Sequence, residues 1–282
     1  MHPSTSGTYG AERPPPGYAG IEFRRTGAGT VIAAGLATSP LRLLEPRNHG
    51  AGAWVFLASL GGGLVDGDRI VTRVDAREGT TAFIGTQGST KVYRSPRGCS
   101  QRFHVRIERD AALAIAPDPV VCFAGARYAQ EIDVTMDADA SLFLLDSYTC
   151  GRSARGERWA FSRFASRTTI EKGGARMLSD ATLLDPGHGP VAERMGRFDV
   201  VLSLVVLGPR FARVRESLLA LGQAPLERGP AIRCLAAASP VAGDGVFLRV
   251  AAERFELASS LLRPSFVELA AVLGDDPFAR KW

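Results

Sequence analysis

The sequence has 282 residues, of which 45% are hydrophobic and 22% are charged, a composition typical of a globular domain. The longest apolar candidate, 200–207, is far shorter than the roughly 18 residues of a membrane span, which argues against a membrane protein. The formal net charge is +5, but no block of five basic residues indicates nucleic acid as a partner.

The N-terminal segment differs in composition from the rest of the chain. Residues 1–20 are rich in Gly, Pro, Ser and Thr, which predicts a flexible tail. They lack the apolar core of a signal peptide, so we expect a cytoplasmic protein. Residues 21–282 contain no convincing linker and are interpreted as a single domain.

From residue 20 to about 184 the chain is predicted to form strands almost throughout. Residues 102–108 alternate polar and apolar side chains, which is typical of a half-buried strand. Residues 142–145 are a continuous apolar run, which predicts a strand covered on both faces.

A faint repeat runs through this region. In each unit an acidic or glycine turn precedes small residues and then an apolar strand. The units begin at Gly79, Asp110, Asp139 and Gly173, which are 31, 29 and 34 residues apart. Periods of this length favour stacked supersecondary units in a helical or layered β-arrangement, although a regular β-sandwich also fits.

After about residue 200 the pattern changes to mixed α/β. Residues 210–221 have helical apolar spacing and are expected to end at Gly222. Residues 255–273 predict a second helix, which Pro264 is expected to break or kink. With a strand at 246–250 between them, two helices are predicted to pack on the β-body.

Cysteine and histidine residues predict no stable metal site. The cysteines Cys99, Cys122, Cys150 and Cys234 are irregularly spaced, so we expect them to be reduced and mostly buried. The alternative is that Cys150 contacts a soft metal in transit. The four histidines do not have ligand spacing, and no nucleophile elbow or phosphate loop is present.

Two adjacent stretches concentrate polar side chains. Residues 61–69 form a glycine-rich turn carrying Asp66 and Asp68, which are either turn residues or functional acids. Residues 86–95 follow as a strand end that is unusually polar for a structural strand. Its side chains of interest are Thr86, Gln87, Thr90, Lys91, Tyr93 and Arg94.

A third charged segment lies at 151–159, where Glu157 is surrounded by arginines that include Arg152. Such a glutamate is either an ordinary ion-pair partner or part of a charged channel lining.

The segments 61–69, 86–95, 122–127 and 151–157 resemble, in order, motifs of the UreD (UreH) family of urease accessory proteins. The resemblance extends from about Phe23 to the C-terminus. It implies a β-helical body of stacked sheets with a pair of helices, and a protein that is not an enzyme. It also implies binding to the urease apoprotein and to UreF, which recruits the GTPase UreG. Nickel is then in transit through a water-filled passage and is not a stably bound cofactor.

The resemblance assigns expected roles to individual residues. Asp68 and Glu157 are expected to line or guard the passage. Asp66 adds a carboxylate, and Asp118 is a shorter acid than the family's usual glutamate or glutamine between two prolines. The remaining expectations are orientation of these acids by Arg152 and Lys91, a polar motif of Thr86, Gln87 and Thr90, and partner contacts or structural support from Tyr93 and Arg94.

Two other functions stay open from the sequence. A β-solenoid hydrolase acting on polysaccharide would need a close pair of these acids and would show turnover. A basic nucleic-acid-binding module would show affinity that falls steeply with salt.

Overall fold

The computed structural model describes residues 14–27, 29–223, 232–241 and 243–279, and these residues are mainly in strands. The strands are β1 (Tyr18–Thr26), β2 (Gly29–Ala37), β3 (Leu41–Leu44), β4 (Ala53–Ser59), β5 (Arg69–Ala76), β6 (Thr81–Thr86), β7 (Thr90–Val92), β8 (Cys99–Ile107), β9 (Ala112–Ala116), β10 (Val120–Cys122), β11 (Arg127–Met136), β12 (Ser141–Thr149), β13 (Gly151–Arg152), β14 (Glu157–Arg158), β15 (Arg163–Lys172), β16 (Ala175–Leu184), β17 (Val200–Leu207), β18 (Cys234–Val241) and β19 (Gly245–Ala252). The helices are α1 (Val191–Met195), α2 (Ala212–Gln223) and α3 (Phe255–Leu273).

Two large sheets contain most of the strands. The seven-stranded sheet has the order β16-β15-β11-β8-β5-β1-β2, and the larger sheet has the order β18-β19-β17-β12-β9-β6-β4-β3. The inner strands of each sheet are parallel, and antiparallel strands flank them. Both sheets are therefore mixed. The β-helical stack expected from the resemblance is not confirmed, because the body is a pair of mixed sheets and not a solenoid.

The faint sequence repeat corresponds to crossings between the two sheets. The chain passes from β6 to β8 and back to β9, then to β11 and back to β12. The turns at Gly79, Asp110 and Asp139 precede β6, β9 and β12, which are parallel neighbours in register. The unit at Gly173 differs, since it opens the antiparallel hairpin from β15 to β16. The period of about thirty residues is thus one crossing out and back.

The larger sheet is the middle of three layers. On β12, Leu142 and Leu144 belong to the core between the sheets, while Phe143 and Leu145 belong to the core beneath α2 and α3. The prediction that this strand is covered on both faces is therefore confirmed. The alternating strand at 102–108 is also confirmed as β8, whose buried and exposed residues alternate.

The two predicted helices are confirmed as α2 and α3, with differences in detail. Gly222 does not end α2 but lies within it, since the helix extends to Gln223. Its glycine lets β18 pack closely, because an added Cβ would be 2.5 Å from Ala238 Cβ. Pro264 does not break α3, whose residues on either side, Leu262 and Ser265, are buried against the body. Among the described helices, none combines the length and apolar composition needed to cross a membrane.

The predicted N-terminal tail lies mostly outside the described part of the chain. Residues 1–13 are outside it, and so are residues 280–282. Residues 18–20, at the end of the predicted tail, form the beginning of β1, which pairs with β2 and β5.

Candidate functional site

The four motif segments lie side by side where the chain crosses between the sheets. Leu64 forms a parallel bridge with Val92, and Val92 is the register partner of Cys122 on β10. Gly151 follows in space, since an added Cβ there would be 2.6 Å from the carbonyl oxygen of Cys122. Segments up to 90 residues apart in sequence therefore pack side by side, and we call these adjacent segments rungs.

This stacking requires glycine at Gly151. The residue has φ +98°, and an added Cβ would lie 2.6 Å from the carbonyl oxygen of Cys122 and 2.9 Å from that of Glu157, so a side chain there would meet both strain and a clash. We expect Gly151→Ala to lower the free energy of unfolding by about 2 kcal/mol. Gly156→Ala is the matched control, because Gly156 has φ +74° but open space around it. Urea denaturation would compare the two variants, and equal losses would mean that the rungs are not closely packed.

Asp66 and Asp68 are both used by the turn that carries them. Asp66 accepts hydrogen bonds from the backbone N–H (2.8 Å) and Nε (2.9 Å) of Arg97, and these bonds lower the pKa of the Asp66 carboxyl. Asp68 Oδ2 accepts a hydrogen bond from the backbone N–H of Val65 at 2.8 Å. The structure thus places Asp68 against the backbone and not against Lys91, which the sequence predicted as its orienting partner.

Asp118 lies apart from these acids and is hydrogen-bonded to Thr86, a residue that lines a cavity. Thr86 Oγ1 donates to Asp118 Oδ2 at 2.8 Å and accepts from the Asp118 backbone N–H at 2.7 Å. The cavity, of about 550 Å³, opens between the turn after β4 and the start of β7. We call it the mouth cavity, and its polar lining includes Thr72, Thr86, Gln87, Thr90, Lys91 and Gln101.

The buried Thr72 hydroxyl indicates that the mouth cavity is a binding site for water or a ligand. Thr72 is 0% exposed, and its Oγ1 has no hydrogen-bond partner in the part of the chain that the structure describes. A buried hydroxyl without a protein partner is typical of a site where water or a ligand completes the hydrogen bonding.

A chain of polar side chains continues inward from the mouth cavity, between the two sheets. Thr90 and Gln101 also line an inner cavity of about 20 Å³, which Asp118 and Asp146 line as well. The linked side chains of this interior polar chain are Gln101, Tyr128, Gln130, Ser166 and Asp146. The successive distances are 3.0, 3.0, 3.4 and 3.3 Å. An uninterrupted line of oxygen and amide groups therefore crosses a core that is otherwise apolar.

The polar chain reaches toward the far edge of the sheets. Asp146 on β12 is followed two residues later by Tyr148, which hydrogen bonds to Thr182 on β16. Beyond it, Arg249 Nη2 donates to Asp180 Oδ2 at 2.6 Å, and both side chains are partly exposed. The polar groups thus extend from the mouth cavity to the β16 edge.

Asp146 is the acid at the inner end of this hydrogen-bonded line, and the residue is partly buried. Burial between the sheets raises the pKa of its carboxyl, and hydrogen bonds from Gln130 and Ser166 only partly oppose that effect. The folded protein therefore holds this proton more tightly than the unfolded chain does. The stability linked to Asp146 falls as pH rises from the unfolded pKa, about 3.9, through the higher folded pKa.

We expect Asp146→Asn to be more stable than the unchanged protein at pH 8, on the order of 1 kcal/mol, because asparagine has no proton to lose. The difference should shrink as pH falls and vanish near pH 4, close to the unfolded pKa. Urea denaturation across this range measures it. Asp133→Asn, which alters a half-exposed carboxylate on the outer face, should show no such trend. A stability gain that does not change with pH would contradict the buried-acid explanation.

Glu157 lies at the outer surface, in a stack of aromatic and charged groups. It accepts hydrogen bonds from Arg152, including one from Nε at 2.9 Å, and from the Ala124 backbone N–H at 3.1 Å. Arg152 lowers the pKa of the Glu157 carboxyl and places its guanidinium 4.1 Å from the centroid of the Phe123 ring. Tyr93 packs edge-on against the same ring at 5.1 Å. Arg152 therefore contacts Glu157 directly, and its role in orienting an acid of the passage stays a prediction.

Arg94 lies beside this stack. Its Cγ would be 3.1 Å from a Cβ added at Gly125, so its aliphatic part runs across the glycine. Its guanidinium has no ion-pair partner within the described ranges, and Arg94 and Lys91 are both exposed.

The predicted acids are therefore dispersed and do not form one cluster. Asp66 and Asp68 close a turn, Asp118 lines the inner cavity and Glu157 lies at the outer surface. Within the described residues, no group of three or more His, Cys, Asp or Glu side chains is placed to hold a metal ion. Sequence reasoning missed Asp146, Gln101 and Ser166, whose signal was a polar residue at an inward position of an apolar strand.

The cysteines are placed as expected. Cys99, Cys122 and Cys150 are buried and Cys234 is partly buried, all as free thiols. Burial raises the pKa of Cys99 and of Cys150 to about 11 each. These thiols therefore stay protonated at neutral pH, which disfavours Cys150 as a ligand for nickel in transit.

Comparison with known proteins gives a consistent family relationship. A family model described as UreD urease accessory protein matches residues 16–282. The chain is 51% identical over 262 residues to "Urease accessory protein UreD" of Sorangium cellulosum, covering 93% of this chain and 83% of the relative. It is 42% identical over 264 residues to the protein of the same name in Anaeromyxobacter, covering 92% and 88%. "Urease accessory protein D" of Arabidopsis thaliana is 30% identical over 289 residues, covering 92% and 98%.

Proposed function

Because the chain belongs to the UreD family of urease accessory proteins, we propose that it is a non-catalytic scaffold that guides nickel toward urease. Membership of the family supports a role in urease maturation. In this proposal the chain binds the urease apoprotein and UreF, and UreF brings the GTPase UreG. Nickel is the cargo and is held only in transit.

The interior polar chain carries the proposal. A divalent cation cannot enter an apolar core unless oxygen or nitrogen groups replace its water at each step. The mouth cavity, the inner cavity and the side chains from Gln101 to Asp146 supply such groups without a break. We therefore propose that the route of nickel runs between the two sheets, with Asp118 at the inner cavity.

The chemistry of these groups favours passage over retention. Most are neutral hydroxyls and amides, which bind nickel more weakly than imidazole or thiolate does. Burial raises the pKa of the Asp146 carboxyl, so protons compete with a cation for it more strongly than they do for an exposed carboxyl. A route lined in this way holds nickel weakly enough to release it.

The packed side chains of Tyr93, Phe123, Arg152 and Glu157, which we call the outer stack, favour a partner-binding surface beside the route. The Tyr93 hydroxyl lies 3.8 Å from a Cβ added at Gly62, and Gly62 lines the mouth cavity. Exposed tyrosine and arginine side chains fixed by packing are typical of interface hot spots. A partner that docks on Tyr93 and Arg94 would therefore lie next to the opening of the route.

Urease activation in cells tests the proposal. Cells expressing the urease subunits and all accessory genes would carry this chain intact, deleted, or with Asp68→Ala plus Glu157→Ala. Deletion should abolish urease activity and the nickel content of purified urease. The double variant should keep its partners in a pull-down experiment, and a loss of nickel would extend the route to those two acids. Full activity after deletion would refute the proposed function.

A further inference from the structure

The outer face of the seven-stranded sheet carries a cavity of about 560 Å³ that is distinct from the mouth cavity. It lies near the start of β5, β8, β11 and β15, on the side facing away from the larger sheet. Its floor contains the small residues Ser100 and Ala129. Its arginines are Arg69, Arg97, Arg127 and Arg163, and we call the cavity the arginine groove.

Two of these arginines are held side by side. Arg127 on β11 and Arg163 on β15 are register partners, and both are exposed on the same face. Neighbouring strands are about 4.8 Å apart, and like charges at adjacent positions destabilise a sheet. Arg163 has one distant acid, Asp185 at 3.8 Å, and Arg127 has no acid partner in the described part of the chain.

The second outward-facing row beyond this pair, past Ala129 and Ala165, contains what the pair lacks. There Glu131 on β11 lies between Arg102 on β8 and Arg167 on β15 and forms ion pairs with both. Its bond from Arg167 Nη2 is 3.1 Å long. The sheet thus shows how a carboxylate fits between arginines of neighbouring strands. In the row of Arg127 and Arg163, none of the residues that the structure describes supplies a carboxylate between the two guanidinium groups.

The other two arginines extend the positive surface. Arg97 is fixed by its ion pair with Asp66 at 2.9 Å, so its position is ordered before any ligand binds. Arg69 has no ion-pair partner within the described ranges. Asp68 also lines the groove, and its Oδ2 accepts a hydrogen bond from the backbone N–H of Val65, whereas Asp66 is paired with Arg97.

We propose that the arginine groove binds an acidic peptide segment of a protein partner, with one carboxylate between Arg127 and Arg163. Arg69 and Arg97 bind further carboxylates along the segment, and the small floor residues leave room for its backbone. A protein ligand is favoured because Glu131, held between Arg102 and Arg167, shows that arginines of this face bind a carboxylate. The interaction is separate from nickel transit and does not depend on it.

Fluorescence anisotropy with a labelled octaglutamate peptide and the full chain tests the inference at low salt, where charge contacts are least screened. Arg127→Gln plus Arg163→Gln should weaken binding about tenfold or more, since two charge-assisted contacts are lost. Arg213→Gln plus Arg263→Gln is the matched control. It removes the same charge from exposed positions on α2 and α3, beyond the larger sheet, and should change binding less than about twofold.

A third variant separates a built site from a general charge effect. Ala129→Tyr keeps every arginine but fills the exposed floor of the groove, and it should weaken peptide binding by a similar factor. Equal losses in the two double variants, or unchanged binding in Ala129→Tyr, would overturn the inference. Tighter binding of an oligothymidylate of equal charge would overturn it in favour of nucleic acid. None of these readouts involves urease, so failure here leaves the proposed function untouched.

Discussion

Asp146→Asn should reduce urease activation in cells about a hundredfold while leaving the accessory complex intact. Asparagine keeps the size of the side chain but removes the carboxyl that the proposed route uses as a cation ligand at the inner cavity. The same change should stabilise the protein at neutral pH, since the buried carboxyl has a raised pKa. Urease activity and nickel content per urease active site measure the effect.

Asp133→Asn is the matched control for Asp146→Asn. Asp133→Asn makes the same chemical change on the outer face and should leave activation unchanged. A pull-down of UreF and urease at unchanged yield excludes loss of the complex as the cause. Because stability and activation are expected to move in opposite directions, misfolding cannot produce the expected result. Full activation by Asp146→Asn would remove the inner cavity from the nickel route.

The stacking of the motif segments was accessible from the sequence, since the repeat of about thirty residues sets a period. Segments one period apart, such as those at Leu64 and Val92, become neighbours once each period is a crossing out and back. The combination of parallel and antiparallel strands in each sheet could not be predicted from the sequence in the same way. The hairpin turn at Gly173 and Gly174 is visible locally, but which sheet its strands join depends on distant pairing.

The roles of the acids were harder to predict than their positions. Asp68 is bonded to the backbone of Val65 three residues earlier, and such turn contacts use the same residue types that bind ligands. Gln130, Ser166 and Asp146 each interrupt the apolar side of a strand, which the sequence does reveal. Their meeting depends on the register between two sheets, and the sequence does not give that register directly.

The interior polar chain and the outer stack are separate in space, and this separation predicts separable functions. The polar chain lies between the sheets, whereas Tyr93 and Arg94 are exposed beside the mouth cavity. A change in the interior should therefore affect cargo without affecting partners. A change in the stack should affect partners first, and cargo only because the complex is lost.

Tyr93→Ala plus Arg94→Ala should weaken binding of purified UreF about a hundredfold, because exposed tyrosine and arginine side chains fixed by packing are typical hot spots. The fold should change little. Tyr93 is 37% exposed, and its edge-on contact with Phe123 contributes only about 1 kcal/mol. Biolayer interferometry measures the affinity, and thermal unfolding measures the fold.

Leu183→Ala plus Arg176→Ala is the matched control for this pair. It removes one exposed large apolar side chain and one exposed arginine from β16, on a different part of the surface. Binding of UreF by this control should stay within about twofold, as for most surface changes outside a hot spot. If both double variants bind UreF normally, the contact surface lies elsewhere on the chain. If only the Tyr93 and Arg94 variant loses UreF, and Asp146→Asn retains it, partner binding and cargo transit reside in different residues. The stack beside the mouth cavity then serves to align the partner with the route.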